Sequence, residues 1–198
     1  MNTVETLILV LISYLLGALP FGYLVAKAIR GVDITAHGSG NIGATNVWRV
    51  LGPLPGTLVL AADVGKGALA VWLGRVYGAP EVELLTGAAA VIGHGWSVFL
   101  GFRGGKMIAT SGGVLLMLSP LATLGGFIVW AVTLAVSRYV SLASIITAVS
   151  IPLWFYYLGF SRDYLIFTSI LAAAAIYKHR SNIKRLIQGN EYKFGARR

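Results

Sequence analysis

Apolar residues fall in blocks of about bilayer length along this chain, separated by short groups that are either glycine-rich and polar or basic. A helix needs about 20 residues to cross roughly 30 Å of hydrocarbon. The blocks at 4–29, 53–75, 82–100, 107–119, 120–137, 140–160 and 163–180 therefore predict membrane spans. Met107 to Val136 is long enough for one span with an overhang or for two short ones. Pro120, with Gly112-Gly113 and Gly125-Gly126 around it, favours a break. The polar stretch Val32–Arg49 cannot span and is expected to fold back over one membrane face.

Charge decides between six spans and seven. With seven and an outside N-terminus, the inner loops hold Lys27, Arg30, Arg49, Arg103, Lys106, Arg138 and the tail from Lys178 to Arg198. Glu5, Arg75, Glu81, Glu83, Arg162 and Asp163 then lie outside, and Lys66 within a span. Six spans would strand Arg138 and the basic tail outside, against the positive-inside rule. The predicted fold class is thus an all-α polytopic membrane protein of seven transmembrane helices, some short or broken, with a cytoplasmic C-terminus and a single domain over 1–198. Met107–Ser119 supplies only about 20 Å of helix. It should start below the headgroups, sinking the residues before it into a vestibule that faces the cytoplasm.

Composition agrees: 57% of residues are hydrophobic, 12% are charged, and mean hydropathy is +0.77. The 25 glycines suit close helix approach in lipid. With no cysteine, disulfides and thiolate metal sites are excluded. The first block has no basic head, and Ala26-Lys27-Ala28 matches a cleavage site poorly, so it reads as a retained helix. A net charge of +9 suits anionic lipid and anionic small molecules. Because the basic residues sit in short loops between spans, no nucleic-acid partner is expected. Trp96, Trp130 and Trp154-Phe155-Tyr156-Tyr157 fit either an interfacial belt or core packing.

Two polar glycine segments carry the candidate chemistry. Gly38-Ser39-Gly40-Asn41-Ile42-Gly43-Ala44-Thr45-Asn46 spells G-x-G-x-x-G, yet it follows a membrane helix and no strand, so the dinucleotide reading fails. What remains is close backbone approach at Gly38, Gly40 and Gly43, with Ser39, Asn41, Thr45 and Asn46 as donors or acceptors. The second, Phe102-Arg103-Gly104-Gly105-Lys106 with Thr110 one turn on, has the make-up of a phosphate cradle at a helix N-terminus. Positive-inside anchoring would account for its charges but not for the glycines between them. Irregular backbone survives in hydrocarbon only where it lines a wet or liganded cavity.

Other polar residues admit plainer readings. His179 and Asn182 share one helix face after the last span, and His179 is a candidate base or phosphate ligand. Asp63 and Lys66 are spaced to pair, or to line a pocket. His94 fits a packed residue better than a metal ligand, and no spacing supports a metal. Ser141 and Ser144 fit helix packing or the wall of the vestibule. Neither a Ser-His-Asp arrangement nor an H-x-x-x-x-D motif is present, so an acyl-enzyme is not indicated.

These residues resemble the signatures of the bacterial acyl-phosphate:glycerol-3-phosphate acyltransferases. The resemblance runs in order through Gly38–Asn46 with Arg49 to Gly52, Asp63-Val64-Gly65-Lys66-Gly67, and Gly93-His94 leading to Phe102–Lys106 with Ala109-Thr110. Arg138-Tyr139-Val140-Ser141-Leu142-Ala143-Ser144 and Lys178–Leu186 follow, then Gly189 and Glu191. One departure is Met107, where the pattern has a small residue, often glycine. The resemblance implies an inner-membrane enzyme with a cytoplasmic site. It would move an acyl group from acyl phosphate to the sn-1 hydroxyl of glycerol-3-phosphate, giving lysophosphatidic acid and phosphate at the start of phospholipid synthesis. It implies no cofactor, and a soluble partner enzyme that makes the acyl phosphate.

On that reading Gly104, Gly105, Lys106 and Thr110, beside Arg103, take one phosphate. Ser39, Arg49, Ser144, His179 and Asn182 take the other phosphate or the glycerol, and Asn41 or the Gly38–Gly43 amides stabilise the oxyanion. The competing class is a membrane transporter for an organic phosphate anion, with the same loops as a half-helix site.

Overall fold

The computed structural model describes residues 2–78 and 81–195, so Arg197 and Arg198, counted in the basic tail, lie outside the described residues. Among the described residues there are helices and turns but no strand, and the chain falls into two compact units, Met1–Leu118 and Ser119–Arg198.

In the first unit, α1 (Thr3–Ala18) opens on a reciprocal cap: Asn2 Oδ1 accepts from the Glu5 amide and Glu5 Oε2 from that of Asn2. The helix expected over 4–29 is interrupted at Leu19–Pro20, because proline offers no N–H to continue the ladder. α2 (Phe21–Arg30) follows and stops at Gly31, whose φ of 66° is left-handed. The fold-back stretch contains a helix the sequence pattern did not predict, α3 (Ala44–Leu51), which leads into α4 (Pro53–Tyr77). α5 (Val82–Gly95) ends short of the expected 100, and Val98–Leu100 is a single 3-10 turn. α6 (Ile108–Leu118) is short, as the spacing suggested.

Glycines set the helix contacts. A Cβ on Gly17 would strike the backbone of Ala90, and one on Gly93 that of Tyr14, which fixes α1 against α5. Gly67 meets the Thr110 carbonyl and Gly113 that of Val64, which fixes α4 against α6. At the end where α4 passes to α5, Arg75 Nε binds Glu83 Oε2 at 2.7 Å, and its Nη2 donates to the Met117 carbonyl in the last turn of α6. The opposite end carries α2, α3 and the 96–107 loop. There Ala26, Ile34, Ile42, Val47 and Val59 form a buried apolar cluster, and Leu100 packs against it. Both glycine segments therefore lie at this end, the first built into the cluster through Ile42 and the second joined to it through the preceding Leu100.

In the second unit, α7 (Pro120–Ser137) starts with the Ser119 hydroxyl accepting from the Ala122 amide, and proline occupies the first helical position. The break expected at Pro120 is present. α8 (Val140–Tyr157), α9 (Arg162–Lys178) and the short α10 (Arg180–Ile187) complete it. In the aromatic run Phe155 is fully buried against Phe160 and Tyr164, and Trp154 covers Gly125, which is core packing for these two. Tyr156 and Tyr157 are exposed. Among the described residues four segments are long and apolar enough to cross a membrane: Thr3–Arg30, Pro53–Tyr77, Pro120–Ser137 and Val140–Tyr157.

Two glycines of α4 test this packing. Gly65 faces open space, whereas Gly67 touches the backbone of α6. Gly67→Ala should destabilise by about 1–3 kcal/mol through overpacking. Gly65→Ala should be neutral, or stabilising by up to about 1 kcal/mol from lost chain entropy. Thermal unfolding in detergent reads both, and equal shifts would contradict the contact.

Candidate functional site

The first glycine segment is organised by Asn46. Its amide nitrogen donates to the carbonyls of Asn41 (2.8 Å) and His37 (3.0 Å), and its Oδ1 accepts from the Ser39 amide (2.8 Å). Asn46 is buried, so the side chain expected to face substrate is committed to holding the loop. Asn41 Oδ1 accepts from the Gly43 amide at 2.9 Å, turning the chain into α3, where Thr45 and Arg49 are exposed. Upstream, the amide and hydroxyl of Thr35 both donate to Asp33, which holds its carboxyl below the ordinary range. Gly38 and Gly40 take φ of 59° and 70°, conformations open to glycine without strain. The Ser39 hydroxyl sits half-buried beside them.

The second segment hangs from the C-terminal end of α5. The Ser97 amide donates to the Arg103 carbonyl, and the Phe102 amide to that of Ser97, closing a tight loop with Arg103 exposed. The glycine pair has a packing reason as well as a binding one. A Cβ on Gly104 would collide with the His94 and Gly95 backbone, and one on Gly105 with the His94 imidazole. The Gly105 amide donates to the His94 carbonyl at 2.9 Å. Lys106 is half-buried and leads into α6, whose first-turn amides lack intrahelical partners. Thr110, in that turn, is fully buried, and its hydroxyl has no hydrogen-bond partner among the described residues.

Met107 explains its own departure from the pattern. Its φ is 70°, the left-handed region that glycine adopts freely and other residues reach at about 1–2 kcal/mol. The thioether is buried against Gly95, and that burial offsets the backbone cost.

Beneath this loop lie three buried ionisable residues. Lys66 Nζ is 2.8 Å from Asp63 Oδ1, 2.9 Å from His94 Nδ1 and 2.9 Å from the Leu19 carbonyl. Asp63 and Lys66 do pair, as their spacing allowed, and His94 joins them. The Ser97 hydroxyl donates to the Ala18 carbonyl at 2.6 Å, so Ser97 and Lys66 each donate to a carbonyl at the break before Pro20.

In the second unit, His179 sits buried at the turn from α9 to α10 and donates Nδ1–H to the Ala175 carbonyl at 2.7 Å. That bond fixes the tautomer and leaves Nε2 as the lone-pair nitrogen. Asn182 is buried in α10, with its amide nitrogen 2.7 Å from Glu191 Oε1. The same carboxylate accepts from the Ser141 hydroxyl and from Arg185 Nε. The sequence placed Glu191 in the family resemblance, as the one acid of the basic tail, but left its part unassigned. Ser144 donates to the Val140 carbonyl and lies 3.4 Å from Trp130 Nε1, which favours the helix-packing reading for it. No group of metal-binding side chains occurs among the described residues.

Comparison with known proteins gives a consistent answer. The family profile described as glycerol-3-phosphate acyltransferase matches residues 7–189. A glycerol-3-phosphate acyltransferase of Desulforudis audaxviator is 54% identical over the full length of both chains. A crystal structure of PlsY, described as an integral membrane glycerol 3-phosphate acyltransferase in its glycerol 3-phosphate form, superposes with a TM-score of 0.91. The identity is 43%, and 96% of each chain is covered. Its lysophosphatidic acid form gives a TM-score of 0.89 at the same identity, covering 96% of this chain and 95% of that one.

The role of Asn46 yields a test. Asn46→Ala strands the Asn41 and His37 carbonyls and the Ser39 amide, each costing about 1–3 kcal/mol if left unpaired. The variant should unfold at lower temperature and lose activity with it. Unchanged melting would show that the loop does not depend on Asn46.

Proposed function

The chain belongs to the glycerol-3-phosphate acyltransferase family, and from that premise we propose that its acyl donor is an acyl phosphate and its product 1-acyl-glycerol-3-phosphate. It is an integral-membrane acyltransferase of phospholipid synthesis. The observation that carries the proposal is the Gly104-Gly105-Lys106 loop at the N-terminus of α6, at the same end of the first unit as Ser39 and Arg49. Backbone amides and a cation at a helix N-terminus suit a phosphate dianion.

Acyl phosphate arrives activated, so the protein has to position and neutralise rather than supply a nucleophile. The hydroxyl oxygen of glycerol-3-phosphate attacks the acyl carbon, the carbon–oxygen bond to phosphorus breaks, and the electron pair leaves with inorganic phosphate. In the first unit, Gly104, Gly105, Lys106 and Thr110, with Arg103 beside them, take one phosphate. Ser39 and Arg49 take the other phosphate or the glycerol, with Thr45 and the Gly38, Gly40 and Gly43 backbone beside them, and Asn41 faces the oxyanion. Asn46 acts by shaping that loop. In the second unit, Asn182 binds the glycerol, Ser144 is a weaker candidate, and His179 Nε2 is the proton acceptor.

The finer topology belongs to the same proposal: one acyltransferase domain with seven spans, the N-terminus outside, and the site and C-terminus facing the cytoplasm of a bacterial inner membrane. Charge placement supports it. Lys27, Arg30, Arg49, Arg103 and Lys106 gather at one end of the first unit, and Arg138, Lys178, Arg180, Lys184, Arg185 and Lys193 at one end of the second. A soluble enzyme that makes the donor is the implied partner.

Pure protein should release phosphate from a synthetic acyl phosphate only when glycerol-3-phosphate is present, and should fail with acyl-CoA. Turnover with acyl-CoA would overturn the donor assignment. Lys106→Ala should raise KM for one substrate at least about tenfold, the scale of an electrostatic contact. Folded His179→Ala should lower kcat at least about tenfold. A smaller loss assigns the proton to an oxygen of the donor phosphate.

A further inference from the structure

We propose that His94 is a positioning residue for the Gly104-Gly105-Lys106 loop, locked in place by Lys66 and Asp63; the proposal rests on the reading that this loop holds a substrate phosphate. An ammonium has three protons to donate and no lone pair to accept with. Lys66 has three close oxygen or nitrogen partners: Asp63 Oδ1 at 2.8 Å, the Leu19 carbonyl at 2.9 Å and His94 Nδ1 at 2.9 Å. Because an ammonium cannot accept, His94 Nδ1, 2.9 Å from Lys66 Nζ and 3.5 Å from Asp63 Oδ1, is the acceptor of the Lys66 bond. A neutral imidazole carries one N–H, so the proton resides on Nε2.

That Nε2 edge lies against Gly105. A Cβ built there would collide with Nε2, Cε1 and Cδ2 of the ring. From the other side, the Gly105 amide donates to the carbonyl of His94 itself at 2.9 Å. Ring and carbonyl of one residue therefore bracket the middle of the loop, and the ring cannot swing away without breaking its bond to Lys66. The Phe21 ring, 5.5 Å from Lys66 Nζ, closes the remaining side of the cation.

Stability alone is a poor reason for the cluster. Asp63, Lys66 and His94 are all at least 95% buried, and a buried ion pair is often no more stabilising than apolar residues of the same shape. A bare Asp63–Lys66 pair would also need neither the imidazole nor a glycine at 105. What the three residues add is register: Lys66 ties the break after α1 to α4 and α5, and His94 passes that register to the loop.

The test uses the purified full-length protein in detergent, with kcat and KM measured for glycerol-3-phosphate and for a synthetic acyl phosphate. His94→Ala should raise KM for the same substrate as Lys106→Ala, at least about fivefold, the scale of one hydrogen bond, with kcat changed less. His94→Asn keeps an acceptor for Lys66 but removes the ring and Nε2–H. It should regain the melting temperature lost in His94→Ala without regaining KM. In the His94→Asn/Lys106→Ala double variant the rise in KM should be smaller than the product of the two single rises, because both act on one loop. Wild-type KM in folded His94→Asn, with KM raised in Lys106→Ala, would overturn the positioning role and leave the phosphate loop standing. Unchanged KM for both substrates in Lys106→Ala would overturn the phosphate reading and this inference with it. Should His94→Ala not fold, His94→Asn decides alone.

Discussion

Inside a bilayer each unpartnered backbone carbonyl costs several kcal/mol, and the first helix of this protein breaks at Leu19–Pro20, where its last carbonyls need partners. The Ser97 hydroxyl meets the carbonyl of Ala18, and the Lys66 ammonium meets that of Leu19. Ser97 begins the loop that leads to Gly104 and Gly105, and Lys66 holds the imidazole that rests on Gly105. The Tyr14 hydroxyl, bonded to the Trp96 carbonyl, adds a third tie between α1 and the same loop. The break also turns α2 so that Gly22 lies against the Ile42 backbone. A proline in the first span thus fixes where both glycine segments sit, although neither is near it in sequence.

Such ties also explain what could be read beforehand and what could not. Span blocks are sums over about 20 residues, so 53–75 and 140–160 became α4 and α8 with ends shifted by only a few positions. The break within 4–29 left no trace in hydropathy because Leu19 and Phe21 are as apolar as their neighbours. Its partners are far along the chain: Ser97 fell inside the block expected to span at 82–100, and Lys66 read locally as half of an i, i+3 pair. α3 escaped notice because the residue before it, Gly43, makes no side-chain cap and its turns mix Thr45, Asn46 and Arg49 with apolar residues.

The glycines between Arg103 and Lys106 were legible as glycines, but half their reason was not. They look like anion-binding residues because small residues beside cations suit phosphate, and they are also the only residues that fit against His94 and Gly95. Sequence pattern cannot separate these two demands, since both select the same residue type. Met107 shows the limit from the other direction. Glycine is expected there for its backbone freedom, and the chain meets the same φ with a side chain large enough to fill the space over Gly95.

The distinction between polar atoms already spent and those still open sharpens the catalytic reading more than a roll of polar residues does. Asn46 uses its whole amide on its own loop, Ser144 donates to its own helix, and Lys66 is held by Asp63, His94 and the Leu19 carbonyl. Asn182 differs. Glu191 takes its amide nitrogen, and that fixes the rotation of the side chain, leaving Oδ1 buried without a partner among the described residues. An amide oxygen only accepts, so a hydroxyl can satisfy it and a phosphate dianion cannot. If Asn182 meets substrate, it therefore meets the glycerol hydroxyls rather than the phosphate. Glu191, itself held by Ser141 and Arg185, is what aims it.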